Sequence, residues 1–599
     1  SNQVDVMGLQ ATLYLNGQEC DIREIQMLRP RDIEKIEYHD APSGKYAKDK
    51  LVVNFITKQY RYGGYVQADG LQTIGYDHGD YNVANNYVKG NNSYTVFAGA
   101  NYSHVDGTET WNNENYQFPQ SLFDRESYSK NSYRNHQEYM QFRYQNQKGK
   151  RYWVGKFTLV NLSTPRNASF GFARESTETD IFSNIRKKSL SPKIDLNANL
   201  PLSKNQTLTL GVHGKYSANS YHRLYQEQPF EAMTDEDEKA LWFQLSAIYN
   251  YFSQKHSLSV ELFHYHDVWN ADYSGNCELW QHLWKGESLA FFSYNFQASR
   301  RLSLKTRIGL DWLQYHLHGD NSFSQLSPRI NTNVQYQLNK GMLLWSFNFV
   351  NSNHGMDVIN RAMIQVNSHM MEKGMPELKK SHDINTYLYY MGRFNRLSVS
   401  AIGQFRYNHH PVTDDYYLDE ANGKIVKTYS NGGNAQYYSA ILALQYKLCK
   451  FANLSGDIRY NHAEVKTIWS KHNNNLTGNL GLNMFMGDFA LKPYLHFGKK
   501  SLDEAALVIS KTPIDYGMSC SYSRGNLYVE LQAASPFKKQ EKQYWLDLPI
   551  YSYSKSIKDQ TASQYASIKV AYSFDFGRKT QKVEKDVNKN INSSLLRVE

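Results

Sequence analysis

Apolar and polar residues alternate with a period of two through most of the chain after residue 61. In residues 207–216 one face carries Leu208, Leu210, Val212 and Tyr216, and the other carries Thr207, Thr209, His213 and Lys215. Residues 302–312 and 329–338 repeat this pattern. Such alternation predicts β-strands with one face in an apolar medium and one in water. Segments of about 10 residues are long enough for tilted strands to cross a membrane.

The connections between these segments are short and long in turn. Ten short ones lie near residues 89–92, 146–150, 201–206, 253–256, 298–301, 339–341, 393–396, 447–452, 487–488 and 523–525. Long ones are predicted at residues 104–135, 163–187, 220–239, 271–286, 352–382, 411–433 and 534–562. Short turns on one side and long loops on the other are typical of outer-membrane barrels, with the short turns in the periplasm.

Ten hairpins, a first strand at residues 62–74 and a last strand at 563–575 predict about 22 antiparallel strands. The predicted fold class is therefore an all-β transmembrane barrel, and 22 strands is the size of plugged transporters. Within the strand LKPYLHF, Pro493 removes a ladder donor, which predicts a bulge or a strand boundary there.

Composition supports a membrane barrel. The chain has 599 residues, 41% of them apolar, with a mean hydropathy of −0.66. No apolar run approaches the roughly 18 residues of a spanning helix. Aromatic residues nevertheless reach 14%, including 47 tyrosines, which suits the aromatic girdles of a membrane barrel. A soluble propeller or solenoid would show a repeat of fixed length, and none is found.

Residues 1–58 read differently from the rest and predict a small α/β segment. The expected elements are a strand ATLYLNG, a helix near 22–28, a strand DIEKIEY, a turn cluster APSGKYAKDK and a strand LVVNFIT. So short a segment would be a marginal domain alone. We therefore expect it to pack on something larger.

The stretch DAPSGKYAKDKLVVNFITKQYRYGGYV, residues 40–66, resembles the junction of plug and barrel in TonB-dependent outer-membrane receptors. The similarity is greatest to the Bacteroidota type with a C-terminal outer-membrane β-barrel domain. Other stretches that resemble the family are LYLNGQ, LSPRINTNVQY, GMPELKKSHDINTYLYY, ASPF and YSFDFGRK. The junction residues on which the resemblance rests are Pro42, Ser43, Gly44, Tyr46, Thr57 and Lys58.

The resemblance implies three regions: a partial plug at 1–58, a transmembrane β-barrel at 59–577 and a flexible periplasmic tail at 578–599. It implies a location in the outer membrane of a Gram-negative cell, among outer-membrane lipids and lipopolysaccharide. It also implies coupling to TonB, ExbB and ExbD through a segment ahead of the plug. The chain opens at Ser1 in what looks like the middle of a plug, so that segment is not in it and energised transport is left open.

Motifs for catalysis or metal binding are not found. The sequence has no nucleophile elbow, HExxH or phosphate loop in a convincing context, so we expect no enzyme and no cofactor. The four cysteines are far apart and show neither a disulfide framework nor a zinc spacing. Two histidine pairs, His264 with His266 and His316 with His318, have the spacing for a metal site. We favour an interfacial belt for them and predict no metal.

The formal net charge of +10 is spread along the chain rather than gathered into a stripe, which argues against nucleic acid. The alternation places several charged residues in the lumen, including Lys215, Lys305, Arg307 and Arg329. An excess of lumen cations favours an anionic ligand such as a siderophore. The simpler interpretation is that these cations pair with plug carboxylates and line water.

Two functions follow. The first is a TonB-dependent receptor-like barrel for ligand uptake, with its substrate-binding residues unknown. The alternative is a non-transporting barrel that acts as a scaffold or assembly partner for lipoproteins or other outer-membrane proteins. A complete plug with a TonB box upstream would favour the first.

Overall fold

The computed structural model describes residues 4–6, 9–15, 18–20, 33–39, 52–57, 62–118, 121–320, 322–352, 355, 357–537, 539–559, 561 and 564–578. The predicted helix near 22–28 lies outside these residues, and so does the predicted tail 578–599 except for Arg578, which ends the last strand. Five of the six junction residues also lie outside the described residues: Pro42, Ser43, Gly44, Tyr46 and Lys58.

The N-terminal residues form a five-stranded sheet in the order β1-β2-β5-β4, with β3 paired to β2. Its strands are β1 Val4–Val6, β2 Leu9–Leu15, β3 Gln18–Cys20, β4 Ile33–His39 and β5 Val52–Thr57. Strands β2 and β5 are parallel, and the other pairs are antiparallel. The three predicted strands of this segment correspond to β2, β4 and β5. Val52 of β5 is fully buried against Tyr14.

A closed antiparallel barrel takes up most of the chain. Its first strands are β6 Tyr62–Ile74, β7 Asp77–Lys89, β8 Asn92–Phe118, β9 Ser121–Lys148, β10 Arg151–Arg174, β11 Glu178–Ser203, β12 Gln206–Glu227, β13 Phe230–Phe252, β14 His256–Gly275, β15 Leu279–Gln297, β16 Leu302–Leu317, β17 Ser322–Leu338 and β18 Gly341–Ser352. A separate four-stranded sheet contains β19 Met363–Gln365, β20 Met370–Lys373, β23 Thr413–Asp419 and β24 Lys424–Ser430. The barrel continues with β21 Ser381–Phe394, β22 Leu397–His409, β25 Asn434–Lys447, β26 Ala452–Lys466, β27 Ser470–Met486, β28 Phe489–His496, β29 Lys499–Asp503, β30 Val508–Thr512, β31 Asp515–Arg524, β32 Leu527–Ala534, β33 Glu541–Asp547, β34 Tyr551–Lys558 and β35 Tyr565–Arg578.

The last eight segments form four barrel strands, each interrupted once. They combine as β28 with β29, β30 with β31, β32 with β33, and β34 with β35, since β28 pairs with β31, β30 with β33 and β32 with β35. The barrel therefore has 22 strands, and β35 closes it against β6. The predicted closed antiparallel barrel of about 22 strands is confirmed. The described residues of the N-terminal segment form strands, and the helix of the predicted α/β plug does not lie among them.

The ten predicted short turns all join neighbouring strands at one end of the barrel, which we call the short-turn end. Several of them need a glycine at positive φ: Gly90, Gly149, Gly487 and Gly525 have φ between 59° and 63°. Two-residue hairpins favour this conformation because its twist matches that of the strands, and glycine adopts it without steric cost.

The predicted long loops are mostly wrong. Residues 104–135 continue β8 and β9 as a hairpin whose strands end at Phe118 and restart at Ser121. The same is true of three other predicted loops, which are barrel strands joined by short turns: residues 163–187, 220–239 and 271–286. Beyond the apolar medium both faces of a hairpin are wet, so the alternation that marks a strand in sequence disappears while the backbone ladder continues.

The two faces of the wall agree with the predicted alternation. Val212, Ile308, Leu310 and Trp312 are outward and exposed, between 45% and 52%. Asp311, between two of them, is completely buried. No bulge accompanies Pro493: it keeps its place opposite Met518, and the β27–β28 ladder skips its position without a register shift.

Candidate functional site

The end of the barrel opposite the short turns is covered by the four-stranded sheet, ordered β19-β20-β24-β23. Two segments between barrel strands, residues 355–380 and 410–433, supply it, and we call them the lid. Both were predicted to be long loops. Within the lid β20 and β24 are parallel, and the two outer pairs are antiparallel.

The lid shares one apolar core with the barrel wall. Met370, Tyr416 and Ile425 of the lid are buried with wall residues such as Tyr116 and Tyr551. The Tyr551 ring lies 5.0 Å from that of Tyr116 and 5.4 Å from that of Tyr416. Burial of aromatic rings on both sides of the contact stabilises a closed lid.

A buried ion triad holds the lid sheet together. Nζ of Lys427 on β24 lies 3.4 Å from Oε1 of Glu372 and 3.3 Å from Oδ2 of Asp414. Burial raises the pKa of both carboxyls, although Lys427 opposes this. Burial alone would lower the pKa of Lys427, but Glu372 and Asp414 together raise it. When both carboxyls are ionised, Lys427 is one cation between two carboxylates in the interior of the lid.

The turn between β19 and β20 inserts into a second charged cluster on the wall, which we call the Arg125 network. The Arg125 guanidinium is 2% exposed and lies 2.5 Å from Glu227, 3.0 Å from Glu175 and 3.5 Å from Glu114. On the lid side, Ser368 donates to Glu227 at 3.2 Å, and His369 Nε2 lies 2.9 Å from Glu175. Since three carboxylates of the barrel surround it, Arg125 neutralises charges that would otherwise repel one another beneath the lid turn.

Arg223 of β12 adds a second clamp on the same turn. Its two terminal nitrogens donate to the backbone carbonyls of Gln365 and Val366, each at 2.6 Å. Arg223 is itself buried, at 4% exposure. A planar guanidinium that binds two successive carbonyls fixes the orientation of the lid backbone as well as its position.

The C-terminal end of the first lid segment is tied to the lumen wall through Lys380. Its Nζ lies 3.0 Å from Asp311, and both side chains are completely buried. Arg329 Nε also donates to Asp311, at 2.9 Å, and its Nη2 lies 3.1 Å from Glu287. One of the predicted lumen cations therefore lies at an anchor of the lid.

The other predicted lumen residues are spread along the wall. Arg307 lies 2.6 Å from Glu261 and stacks over the Phe291 ring at 3.4 Å. Lys215 lies over the Trp242 ring at 5.8 Å, and Lys305 is opposite Asn333 on β17. Thr57 ends β5.

The residues that fasten the lid, Arg125, Arg223 and Lys380, were missed by the sequence reasoning. All three fall in segments that look like loops, where no alternation assigns a face. A buried cation in such a segment has no signature in the sequence alone.

A polar cavity of about 520 Å³ lies against the inner wall beside the lid. Inward residues of β26 and β27 line it, including Arg459, Asn461, Asn473 and Asn475. It adjoins the lid at the β29–β30 turn, where the backbone N–H of Asp414 donates to the carbonyl of Ala505 at 2.7 Å. Charges of both signs complete the lining: Lys499, Glu504, Asp515 and His496. Such a surface is suited to a hydrophilic ligand.

The histidine pairs have aromatic and hydroxyl neighbours. His264 Nδ1 lies 2.9 Å from Ser288 Oγ, and the His266 ring lies 5.3 Å from Trp284. His316 Nδ1 lies 3.0 Å from Ser322 Oγ. Among the described residues, no three His, Cys, Asp or Glu side chains are placed to hold a metal ion. Within the same residues, no helix has the length and hydropathy to cross a membrane.

The fold of this chain is similar to that of several solved structures. This barrel has the fold of TonB-dependent receptors. It is similar to the copper transporter OprC, with a TM-score of 0.61 and 11% identity over 94% of this chain and 93% of that chain. For the siderophore receptor PirA from Pseudomonas aeruginosa the TM-score is 0.56, with 12% identity over 95% and 93%. For the ferric enterobactin receptor PfeA it is 0.59, with 10% identity over 94% and 91%.

At these identities the likeness concerns the fold. No family model and no curated protein matches the sequence. The similar structures are transporters and receptors rather than enzymes.

Proposed function

We propose that this protein is an outer-membrane barrel that takes up a ligand, with the lid as its outer gate. The observation that carries the proposal is a 22-strand lumen closed by a sheet that is anchored through polar side chains. Arg125 and Arg223 of the wall donate to Ser368 and to the backbone of Gln365 and Val366, and Asp311 accepts from Lys380. When the lid opens, these charged groups become accessible to water or to a ligand, which can replace the contacts that are lost. The similarity of the fold to a copper transporter and to siderophore receptors also supports uptake of a ligand into the cell.

The proposal includes a plug made by residues 1–58 and a barrel made by 59–577, with 578–599 in the periplasm. In its support, Val53 of β5 packs against a buried cluster on the inner wall, formed by Met342, Leu344, Tyr387, Tyr389 and Ile402. TonB, ExbB and ExbD would supply energy through a segment ahead of the plug. A Bacteroidota-type receptor in the outer membrane is the most specific form of this proposal.

The ligand we propose is a hydrophilic metal complex. The cavity of about 520 Å³ is within the usual size of small-molecule sites. Its asparagines and its charged side chains of both signs offer hydrogen-bond donors and acceptors to the polar groups of a chelated metal complex. Arg459 and Lys499 would favour complexes with acidic groups.

A disulfide lock tests the gate. Cys277, in the turn after β14, forms a hydrogen bond with the backbone of Met363 in the lid, and burial raises the pKa of its thiol. Ala362 belongs to the same buried cluster, so Ala362→Cys places a second thiol beside it. The matched control is Ala362→Ser, which has a similar size and no thiol.

Uptake of radioactive iron and copper, added to the bacterium's own spent medium, is the readout. Oxidised Ala362→Cys cells should lose uptake and regain it with a reductant, while Ala362→Ser cells should resemble wild type. Equal accumulation in wild-type cells and in cells lacking the gene would refute the uptake function.

The alternative is a non-transporting barrel that serves as a scaffold or assembly partner for lipoproteins or other outer-membrane proteins. The buried Arg125 network favours it, since desolvated ion clusters suit a lid that stays closed. The same lock separates the two functions. A scaffold would keep its co-purifying partners when the lid is locked, and its deletion would not change metal uptake.

A further inference from the structure

Between β27 and β29 the backbone ladder of the barrel wall is replaced by side-chain hydrogen bonds. Strands β27 and β28 pair up to Asn479 opposite His496, and the strand then breaks before β29 begins. Beyond the break, Asn473 Nδ2 donates to the carbonyl of Lys500 at 2.9 Å, and the N–H of Lys500 donates to Asn475 Oδ1 at 3.0 Å. Two asparagines therefore bridge a gap that backbone pairs fill elsewhere.

A groove of about 940 Å³ lies at this gap, and we call it the seam groove. Its shape depends on Gly498, because a Cβ there would lie 2.7 Å from the carbonyl oxygen of Thr512. Because residue 498 has no Cβ, the two ends of the β29–β30 hairpin can lie close together, and the groove beside them stays open to the outside of the wall.

The side of the groove toward the short-turn end is apolar. Outward side chains of four neighbouring strands form it, and they are between 49% and 69% exposed: Ile458, Leu476, Phe497 and Ile514. Toward the lid the outward residues of β26 and β27 become polar, beginning with His462 opposite Asn474. The groove thus crosses the boundary between the apolar band of the barrel and its wet outer part.

Two lysines stand at this boundary. Lys500 and Lys511 are exposed and lie directly opposite each other on β29 and β30, and Gln543 follows Lys511 in the same row. Like charges directly opposite in a sheet repel. Among the residues that line the groove, all of them described, none is acidic. An anion between the lysines would remove this repulsion.

We propose that the seam groove binds a phosphorylated, multiply acylated glycolipid of the lipid A class. An acyl chain would lie on the apolar side, and a phosphate would lie between Lys500 and Lys511, where charge-assisted bonds are strongest. With the short turns in the periplasm, the lysines stand at the headgroups of the outer leaflet. This inference requires the barrel and its orientation but not uptake.

Native mass spectrometry of the purified full chain tests the site. The protein is placed in mixed micelles with bisphosphorylated lipid A, the same lipid without its phosphates, phosphatidylglycerol, or inorganic phosphate. Wild type should retain one lipid A molecule, and Lys500→Ser with Lys511→Ser should bind it about 30-fold more weakly, as expected when two surface lysines are lost. Lipid A without phosphates should bind wild type as weakly as lipid A binds the double variant.

The matched control removes two other exposed lysines, Lys130→Ser with Lys188→Ser, on the continuous wall of β9 and β11. This control should retain lipid A like wild type. Equal loss in both double variants, or unchanged retention in Lys500→Ser with Lys511→Ser, would overturn the site. Equally tight phosphatidylglycerol, or displacement of the lipid by inorganic phosphate at the same concentration, would overturn the glycolipid. Faster migration of unboiled protein on a detergent gel verifies that each variant is folded.

Discussion

Replacing Arg125 by methionine should release the lid while leaving the barrel closed. The guanidinium lies within 3.5 Å of Glu114, Glu175 and Glu227, and two of these carboxylates are only 8% exposed. Removing one partner of a buried ion pair costs about 3–5 kcal/mol, because the remaining charge stays desolvated. All three carboxylates belong to the barrel, and the lid turn covers them through Ser368 and His369. Opening the lid would let water reach the unpaired charges and recover part of this cost, so the cost favours lid opening.

Amide hydrogen exchange measures this effect. If the whole cost appears as easier lid opening, exchange in residues 363–373 should speed up by about 10²- to 4 × 10³-fold. Arg307→Met is the matched control, because it removes a lumen ion pair with Glu261 that does not touch the lid. Adding Glu114→Gln and Glu227→Gln to the Arg125 variant should restore much of the protection, since the two most buried of the unpaired charges are then gone.

Unchanged exchange in these residues, with a verified Arg125→Met substitution, would refute the argument. It would mean that the apolar core around Tyr416 closes the lid without help from the network. Equal acceleration in Arg307→Met would show a general loosening of the barrel instead.

Three further predictions concern the barrel, its orientation and the lid triad. Unboiled protein should migrate faster than boiled protein on a detergent gel, because a closed barrel satisfies its backbone internally; identical mobilities would contradict closure. Ala421→Cys, in the exposed lid turn, should react with an impermeant thiol reagent on whole cells, whereas Lys340→Cys at the short-turn end should not; the reverse labelling would invert the barrel. A carboxyl whose pKa is raised by folding stabilises the fold at low pH and loses that contribution as pH rises through the raised pKa. Amide exchange in residues 424–430, corrected for its intrinsic pH dependence, should therefore accelerate as the pH rises above the ordinary pKa of a glutamate and through the raised pKa of Glu372. Glu372→Gln should weaken this dependence, and an unaltered profile would exclude that residue as its source.

The sequence was sufficient for the part of the fold that the membrane constrains. Lipid on one side and water on the other impose a strict period of two, so strands such as β12 and β17 and all ten short turns follow from the pattern. Where water bathes both faces, this constraint ends. Residues 104–135 therefore looked like a loop although their backbone continues the ladder for more than twenty residues.

The candidate site was harder to predict for a related reason. Arg329 was placed in the lumen by its strand, but Lys380, which shares Asp311 with it, comes from a segment 51 positions later with no periodicity. The lid strands are short, and β20 pairs in parallel with β24 from a different connection. Pairing between distant segments of 3 to 7 residues leaves almost no local signal.

The closure of β35 on β6 has a consequence for how the protein is made. Ala566 pairs with Ile74 and Arg578 with Tyr62, so the ring is completed by residues separated by nearly the whole barrel sequence. Contacts of such high contact order form last, after a large loss of chain entropy. Until then both β6 and the newest strand have unpaired edges, which are templates for aggregation. A chain truncated before residue 565 would still pair β34 with β8 but would leave the edges of β6 and β32 open permanently, so quality control should remove it even though every other strand is present.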